Sequence, residues 1–179
     1  RQLDGLYPYL REVQPVSPAS TMATPIDHLD LATVIRVSQT VSSEIVLEEL
    51  IDALMRAAIE HAGAERGLLI LARGDAYRIE AEATTSSDGV IVTLRQADVG
   101  AADLPESVFH YVVRTRESVL LHNASGDNQF ATDDYIRRRH SRSVLCLPLI
   151  NRARLLGVLH LENDLSTDVF TPARISVLK

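Results

Sequence analysis

Two apolar runs separated by a short polar break constrain the fold of this chain more than any other feature. They lie in the stretch SVLCLPLINRARLLGVLHLEN, residues 143–163. A strand with one face in water alternates apolar and polar residues, whereas a strand covered on both faces is apolar almost throughout. The runs at 144–150 and 155–161 therefore predict the two central strands of a sheet with helices on both sides. The NRAR segment between them is predicted to be the exposed turn of a hairpin.

Each run contains one residue that is unusual in a buried strand. Gly157 predicts a bulge or a close approach by another part of the chain, because glycine has no side chain to obstruct one. Pro148 has no N–H group to donate to the sheet. We expect either a local bulge near Pro148 or a position whose N–H side faces no neighbouring strand.

The rest of the chain alternates between helical and strand patterns. Apolar residues recur every three or four positions over 45–62, which predicts an amphipathic helix that ends at Gly63. A similar stripe predicts a helix over 29–42. The other predicted elements are strands at 67–72, 77–83, 90–94 and 118–122, a helix at 105–115, a short helix capped by Thr132, and a helix that begins near the C-terminus. This order predicts an α+β domain with a largely antiparallel sheet.

Composition excludes several classes of protein. The 179 residues are enough for one well-buried core. The net charge of −6 argues against a nucleic-acid surface, which needs a concentrated basic face. The single cysteine, Cys146, has no partner for an intrachain disulfide, and every apolar run is shorter than the roughly 18 residues that span a membrane. We therefore expect a cytoplasmic domain without a membrane span and without nucleic acid as a partner.

The two ends of the chain differ from its centre. Several prolines with interspersed Ser and Thr predict an interdomain linker over residues 1–26, followed by one domain over residues 27–179. The chain begins with Arg1, and its last residues, ARISVLK, have the pattern of a helix that has barely begun. We expect a piece of a longer protein whose C-terminal helix is truncated.

Several segments taken together resemble the GAF domain family. They are AGAERGLLIL, LPESVFHYVVRT, NASGDNQFATDDYI, SVLCLPL and LLGVLHLEN, with Phe170-Thr171-Pro172 opening a final helix. The resemblance runs from Leu29 to Lys179, and it is specific as a set. The chain is similar in particular to the GAF domains of very large bacterial sensor kinases that carry serine/threonine-kinase-like and histidine kinase modules. The resemblance implies a six-stranded, mainly antiparallel sheet with helices on both faces.

The resemblance also implies a ligand pocket on one face of the sheet. The pocket would be formed by the helix at 105–115, the loop at 122–131 and the short helix at 132–139. The candidate pocket residues on these segments are Ser107, His110, Tyr111, Arg114, Phe130, Asp134, Tyr135 and Arg142.

Three alternatives stay open at the pocket. His110, Tyr111 and Arg114 either face the cavity or belong to the opposite side of their helix. Phe130 is either an apolar plug beneath the loop or a ring that stacks on a ligand. The basic run at 137–139 is either part of an anion site or the usual positive charge at a helix C-terminus.

The sequence contains no pattern that indicates catalysis. Nucleophile–base pairs, glycine-rich phosphate loops and metal-ligand spacings are all missing, so we assign no catalytic residue and no metal, and the cofactor stays unknown. Cys146 lies in a predicted buried strand and is expected to be inert.

The resemblance, together with the missing catalytic patterns, implies a non-catalytic regulatory sensor domain of a bacterial signal-transducing kinase. It would bind an unidentified small ligand, or transmit dimer geometry to the kinase domains of the same chain, and form a homodimer through its first and last helices. The alternatives are a dimerisation module without a ligand and a GAF-fold enzyme of the methionine-sulfoxide reductase type. The enzyme is disfavoured because one cysteine does not supply the disulfide exchange that it needs.

Overall fold

The computed structural model describes residues 44–126 and 128–178. The linker expected at 1–26 and the helix expected at 29–42 lie outside the described residues. In chain order the described elements are α1 (Glu44–Ala62), β1 (Arg66–Arg73), β2 (Ala76–Ser86), β3 (Gly89–Asp98), α2 (Glu106–Thr115), β4 (Val119–Leu121), α3 (Asp134–Arg139), β5 (Ser143–Asn151), β6 (Arg154–Asn163) and α4 (Pro172–Ser176).

The strands form one six-stranded sheet in the order β3-β2-β1-β6-β5-β4, and all neighbouring pairs are antiparallel. The expected α+β class and antiparallel sheet are confirmed. The expectation that β5 and β6 form the central pair is wrong, because β1 and β6 occupy the centre and β5 lies one strand further out. A continuous apolar run indicates only that both faces of a strand are covered. It does not place the strand within the sheet, and β1 has such a run as well.

Helix α1 covers one face of the sheet, as its apolar spacing predicts. Its buried residues are Ile51, Leu54, Met55, Ala58, Ile59 and Ala62. Burying a large apolar side chain contributes about 1.5–3 kcal/mol, so this face accounts for much of the stability of the domain. The helix ends as predicted at Gly63, which has a φ of 70° and whose N–H donates to the Ile59 carbonyl at 2.9 Å.

Helices α2 and α3 cover the opposite face. The strand β5 shows the division, because its alternate residues belong to two separate apolar clusters. Leu145, Leu147 and Leu149 pack in the cluster that contains α1, whereas Val144 and Cys146 pack with Val108 and Ile136 of the helices on the other side. The continuous apolar run of β5 is therefore explained by burial on both faces.

Gly157 lies where the β1 backbone closely approaches β6. A Cβ atom at this position would lie 2.1 Å from the Ile70 carbonyl oxygen and 2.9 Å from Cδ2 of Leu71. Real Cβ atoms do not approach backbone oxygen this closely, so only glycine fits. The predicted close approach is confirmed.

A β-bulge accompanies Gly157. The pairing of β5 with β6 shifts between Leu149 and Ile150, and the extra residue on β6 is Leu156. The shift follows Pro148 by one residue, and a local bulge was one of the two alternatives predicted there. The proline and the glycine therefore sit on opposite strands of the same irregularity.

Replacing Gly157 with alanine should destabilise the domain by about 1–3 kcal/mol, because the new methyl group must displace the β1 backbone. The matched control is Gly100→Ala, where the nearest atom to the new Cβ is Asp103 Oδ2 at 3.5 Å. Urea denaturation followed by circular dichroism measures both variants. Equal stability of the two variants would contradict the close approach.

Candidate functional site

Asp133 joins the two helices that cover the candidate face. Its Oδ1 accepts from the Tyr135 N–H at 2.9 Å, which caps α3. Its Oδ2 accepts from the backbone N–H of Ser107 at 3.0 Å and from the Ser107 hydroxyl at 2.6 Å. Thr132 was expected to be the cap of this helix, and that expectation is wrong by one residue. The single carboxylate of Asp133 therefore fixes the start of α3 against the start of α2.

A buried carboxylate lies beneath α3. Glu162, on β6, has a side chain that is 1% exposed, and its Oε1 lies 2.8 Å from Nη1 of Arg66 on β1. The Tyr135 hydroxyl lies 2.8 Å from Oε1 and 2.9 Å from Oε2 of the same group. Arg66 Nη1 also donates to the Tyr135 oxygen at 2.9 Å. The three side chains form a closed triangle of hydrogen bonds between α3 and the centre of the sheet.

Further charges extend the triangle across the sheet. Arg66 Nε pairs with Glu82 Oε1 at 2.6 Å, and the other oxygen of Glu82 pairs with Arg95 at 3.0 Å. Arg95 in turn pairs with Asp103 at 2.6 Å, in the loop that leads to α2. Opposite charges alternate along this row, so each buried group is compensated by its neighbours.

Arg139 closes the cluster from the solvent side. Its Nη2 lies 2.9 Å from Asp164 Oδ2 and 3.7 Å from Glu162 Oε1. Its guanidinium carbon lies 6.0 Å from the centre of the Tyr135 ring. This arginine therefore holds the last turn of α3 over the same carboxylate that holds the first turn.

His160 is the least satisfied member of the cluster. The residue is 0% exposed, and its Nε2 lies 3.5 Å from Glu162 Oε2. Its Nδ1 is buried without a hydrogen-bond partner. A buried polar atom without a partner costs about 1–3 kcal/mol, so the cluster carries a local penalty at this point.

The protonation states follow from these contacts. Burial alone would raise the pKa of Glu162, but the hydrogen bond and charge of His160, together with the charge and hydrogen bond of Arg66, outweigh it and lower the pKa to about 2. Burial raises the pKa of the Tyr135 hydroxyl, and the neighbouring Glu162 carboxylate raises it further. Glu162 is therefore the fixed anion of the cluster, and Tyr135 is its neutral donor.

The structure brings some of the predicted pocket residues together. Tyr135 lies in the buried cluster, and Ser107 is bound to Asp133. Phe130 is 7% exposed and meets the ring of Tyr111 edge-on, with 5.7 Å between the ring centres. The Tyr111 hydroxyl donates to Glu117 at 2.9 Å. Phe130 therefore packs in the apolar core of this face, in the position expected of a plug.

The other predicted residues lie on the surface. His110 and Arg114 are exposed on α2, and Arg142 is exposed between α3 and β5. Asp134 is exposed at the start of α3 and lines an open depression of about 560 Å³. The other lining residues of this depression are Ser125, Ala131, Ile136, Arg137, Arg138 and His140.

Sequence reasoning missed Arg66, Glu82 and Glu162, which form the centre of the buried cluster. Glu162 follows a run of apolar residues in LLGVLHLEN, and Arg66 directly precedes GLLIL. A charged residue in line with the buried positions of a strand is a signal for a buried ion pair. The two halves of the pair were not recognisable as partners, because 96 positions separate them.

The lone thiol and the candidate metal ligands give no sign of reactivity in the described residues. Cys146 is fully buried, and burial raises the pKa of its thiol, as expected for inert core packing. Within residues 44–126 and 128–178, no three side chains of His, Cys, Asp or Glu are grouped to hold a metal ion.

Comparisons with known proteins agree with this architecture. The family model for the GAF domain matches residues 46–179. Over 72 residues, 40% of this chain and 2% of the relative, the chain is 38% identical to the hybrid signal transduction histidine kinase G of Dictyostelium discoideum. Over 171 residues, 93% of this chain and 7% of the relative, it is 25% identical to the peroxide stress-activated histidine kinase mak3 of Schizosaccharomyces pombe. The chain thus spans less than a tenth of the length of these relatives.

A solved structure shares the fold. The GAF domain region of a protein from Geobacter sulfurreducens PCA superposes with a TM-score of 0.58 at 11% identity, covering 80% of this chain and 90% of that one.

Among the helices that the structure describes, none combines the length and the apolar character needed to cross a membrane.

The buried carboxylate predicts how stability depends on pH. The pKa of Glu162 is lowered to about 2 from a usual value of 4.5, so its contribution is complete above about pH 4.5 and is lost as the pH falls toward 2. At about 1.4 kcal/mol per pKa unit, that contribution is on the order of 3 kcal/mol. The free energy of unfolding should therefore fall over this range, and the fall should be smaller in Glu162→Gln.

Urea titrations at several pH values between 7 and 2 measure this effect. Glu48→Gln, at an exposed position of α1, is the control and should keep the wild-type profile. A profile for Glu162→Gln that runs parallel to the wild type would contradict the assignment of Glu162 as the buried anion.

Proposed function

Because the chain belongs to the GAF domain family, we propose that it is a non-catalytic regulatory sensor domain within a much longer signal-transducing kinase. The observation that carries this proposal is the alignment over 93% of the chain with a histidine kinase of which it represents only 7%. A segment of this size within such a protein is one module among several. Its role would be to alter the output of kinase domains in the same chain, in the cytoplasm, as part of a two-component pathway.

The arrangement of α3 supports a sensing role. Tyr135 and Arg139 attach this short helix to a carboxylate in the sheet, and Asp133 attaches it to α2. A ligand that binds beside α3 can therefore alter contacts that reach the centre of the sheet. Of the predicted pocket residues, Asp134 and Tyr135 lie on this helix itself.

A catalytic role of the methionine-sulfoxide reductase type has less support. The chain contains one cysteine, and that cysteine is buried in β5. Disulfide exchange requires an accessible thiolate and a second thiol. We therefore keep the regulatory role as the proposal.

The sensing role predicts an effect of Tyr135 on the parent kinase. Tyr135→Phe removes the hydroxyl that joins α3 to Glu162 and leaves the ring in place. In the full-length kinase, this change should alter the rate of histidine autophosphorylation by about twofold or more. The lost hydrogen bond to a charged group is worth about 1.5–3 kcal/mol, and its loss shifts the balance between two states of the domain. Incorporation of labelled phosphate from ATP measures the rate.

Tyr77→Phe is the matched control for this experiment. Tyr77 lies at the start of β2, where its ring meets Phe109 edge-on at 5.5 Å, far in the fold from the Glu162 triangle. The control should keep the wild-type rate. Wild-type phosphorylation in Tyr135→Phe would argue against regulation through α3.

A dimerisation role is the second candidate. Val177, just after α4, is 51% exposed, and its helix begins with a capping Thr171 and Pro172. A continuation of α4 would carry this apolar residue into an interface with a second copy. The first helix, predicted over 29–42 with Ile35 in its apolar stripe, would provide the other half of that interface.

The dimer proposal predicts a concentration-dependent mass. Sedimentation equilibrium of the 179-residue chain should show self-association that is weakened by Ile35→Glu, because a charge in an apolar interface is costly. His110→Glu, at an exposed position of α2, should leave the association unchanged. A strictly monomeric chain at high concentration would remove dimerisation and leave ligand sensing as the remaining role.

A further inference from the structure

The depression beside α3 is lined by arginines for which no described carboxylate is a salt-bridge partner. Arg137, Arg138 and His140 all line it. Within the described residues, none of these three side chains lies within 4.0 Å of a carboxylate oxygen, in contrast to Arg139, which pairs with Asp164. The protein as a whole has a net charge of −6. Arginines without a carboxylate partner around one concavity of an acidic protein create a local field that attracts anions.

Arg138 is held in position before any ligand arrives. Its Nε donates to the Asp134 carbonyl at 3.1 Å, and its Nη2 donates to the Ala101 carbonyl at 3.0 Å. These bonds use main-chain acceptors, and no carboxylate among the described residues pairs with this guanidinium group. A side chain already ordered in this way loses little conformational entropy on binding.

The helix dipole accounts for only part of this arrangement. Cations in the last turn of a helix are stabilised by the helix dipole, and Arg139 has a further role over Glu162. The dipole does not explain why the neighbouring cations line one concavity. Nor does it explain His140, which ends α3 with a φ of 56°, a conformation that favours glycine or asparagine.

We propose that this depression binds a small molecule through a phosphate or carboxylate group held by Arg137, Arg138 and His140. The proposal rests on the sensing role proposed above and names the chemical class of the ligand. The volume of about 560 Å³ falls within the range of small-molecule sites. The planar guanidinium group matches both phosphate and carboxylate with paired hydrogen bonds.

Asp134 provides an internal test of the charge argument. Its carboxylate lines the same depression and repels an anion bound there. Removing this charge should therefore strengthen anion binding, whereas removing the arginine charges should weaken it. Substitutions of neighbouring residues on one helix should therefore change anion affinity in opposite directions. This pattern distinguishes a change in binding at the depression from a general loss of structure.

Titration of the 15N-labelled chain with sodium phosphate, followed by NMR at constant ionic strength, tests the site. Saturable shifts are expected for backbone amides at 125, 131 and 134–140. The double variant Arg137→Gln/Arg138→Gln should weaken binding about tenfold or more, and Asp134→Asn should strengthen it about twofold or more. Arg154→Gln, an exposed arginine at the start of β6, should bind as the wild type does. A parallel titration with sodium succinate separates carboxylate from phosphate ligands.

Each outcome bears on the proposal. Shifts that do not saturate with either anion, or saturable binding that survives in the double variant, overturn it. If both anions fail while Tyr135→Phe still alters autophosphorylation, the anion site is wrong and the sensing role stands. If an anion binds at the depression and Tyr135→Phe has no effect on the kinase, the site stands and the sensing role falls.

Discussion

The Glu162 carboxylate is the constraint on which this face of the domain depends. A charged group that is 1% exposed is tolerated only when its surroundings replace the water that it has lost. Arg66 supplies the opposite charge from the neighbouring central strand, and Tyr135 supplies a hydroxyl from above. Helix α3 is too short to be stable alone, so its position depends on contacts with the rest of the fold, among them the hydrogen bonds of Tyr135 to this carboxylate.

The same helix is therefore connected to two environments. Its inner side, through Tyr135, reaches the buried Glu162 carboxylate, from which a row of charges extends across the sheet to the partly exposed Arg95. Its outer side, through Arg137 and Arg138, faces an open depression. Buried ion clusters respond to small displacements with large changes in energy, because the effective dielectric constant around them is low. The sensing role that we propose for α3 rests on this double connection.

Much of the fold was predictable from the sequence, because the periodicity of apolar residues depends only on local geometry. The helix at 45–62, the hairpin at 143–163 and the close approach at Gly157 all followed from such patterns. The order of the strands did not, since an apolar run is the same for a strand in the centre and for one beside it. The cap of α3 was misplaced because Thr132 and Asp133 are both good capping residues, and the sequence alone does not choose between them. The triangle of Arg66, Tyr135 and Glu162 combines three distant segments, so no local pattern contained it.

Cys146 gives the domain a built-in reporter. It is the only sulfhydryl in the sequence, and it lies fully buried on β5, opposite Val119 of β4 and His160 of β6. A thiol reagent reaches such a group only during the moments when the strand and its covering helix separate. The rate at which the thiol is modified therefore reports how often this half of the core opens. The natural sequence allows this measurement without an added probe.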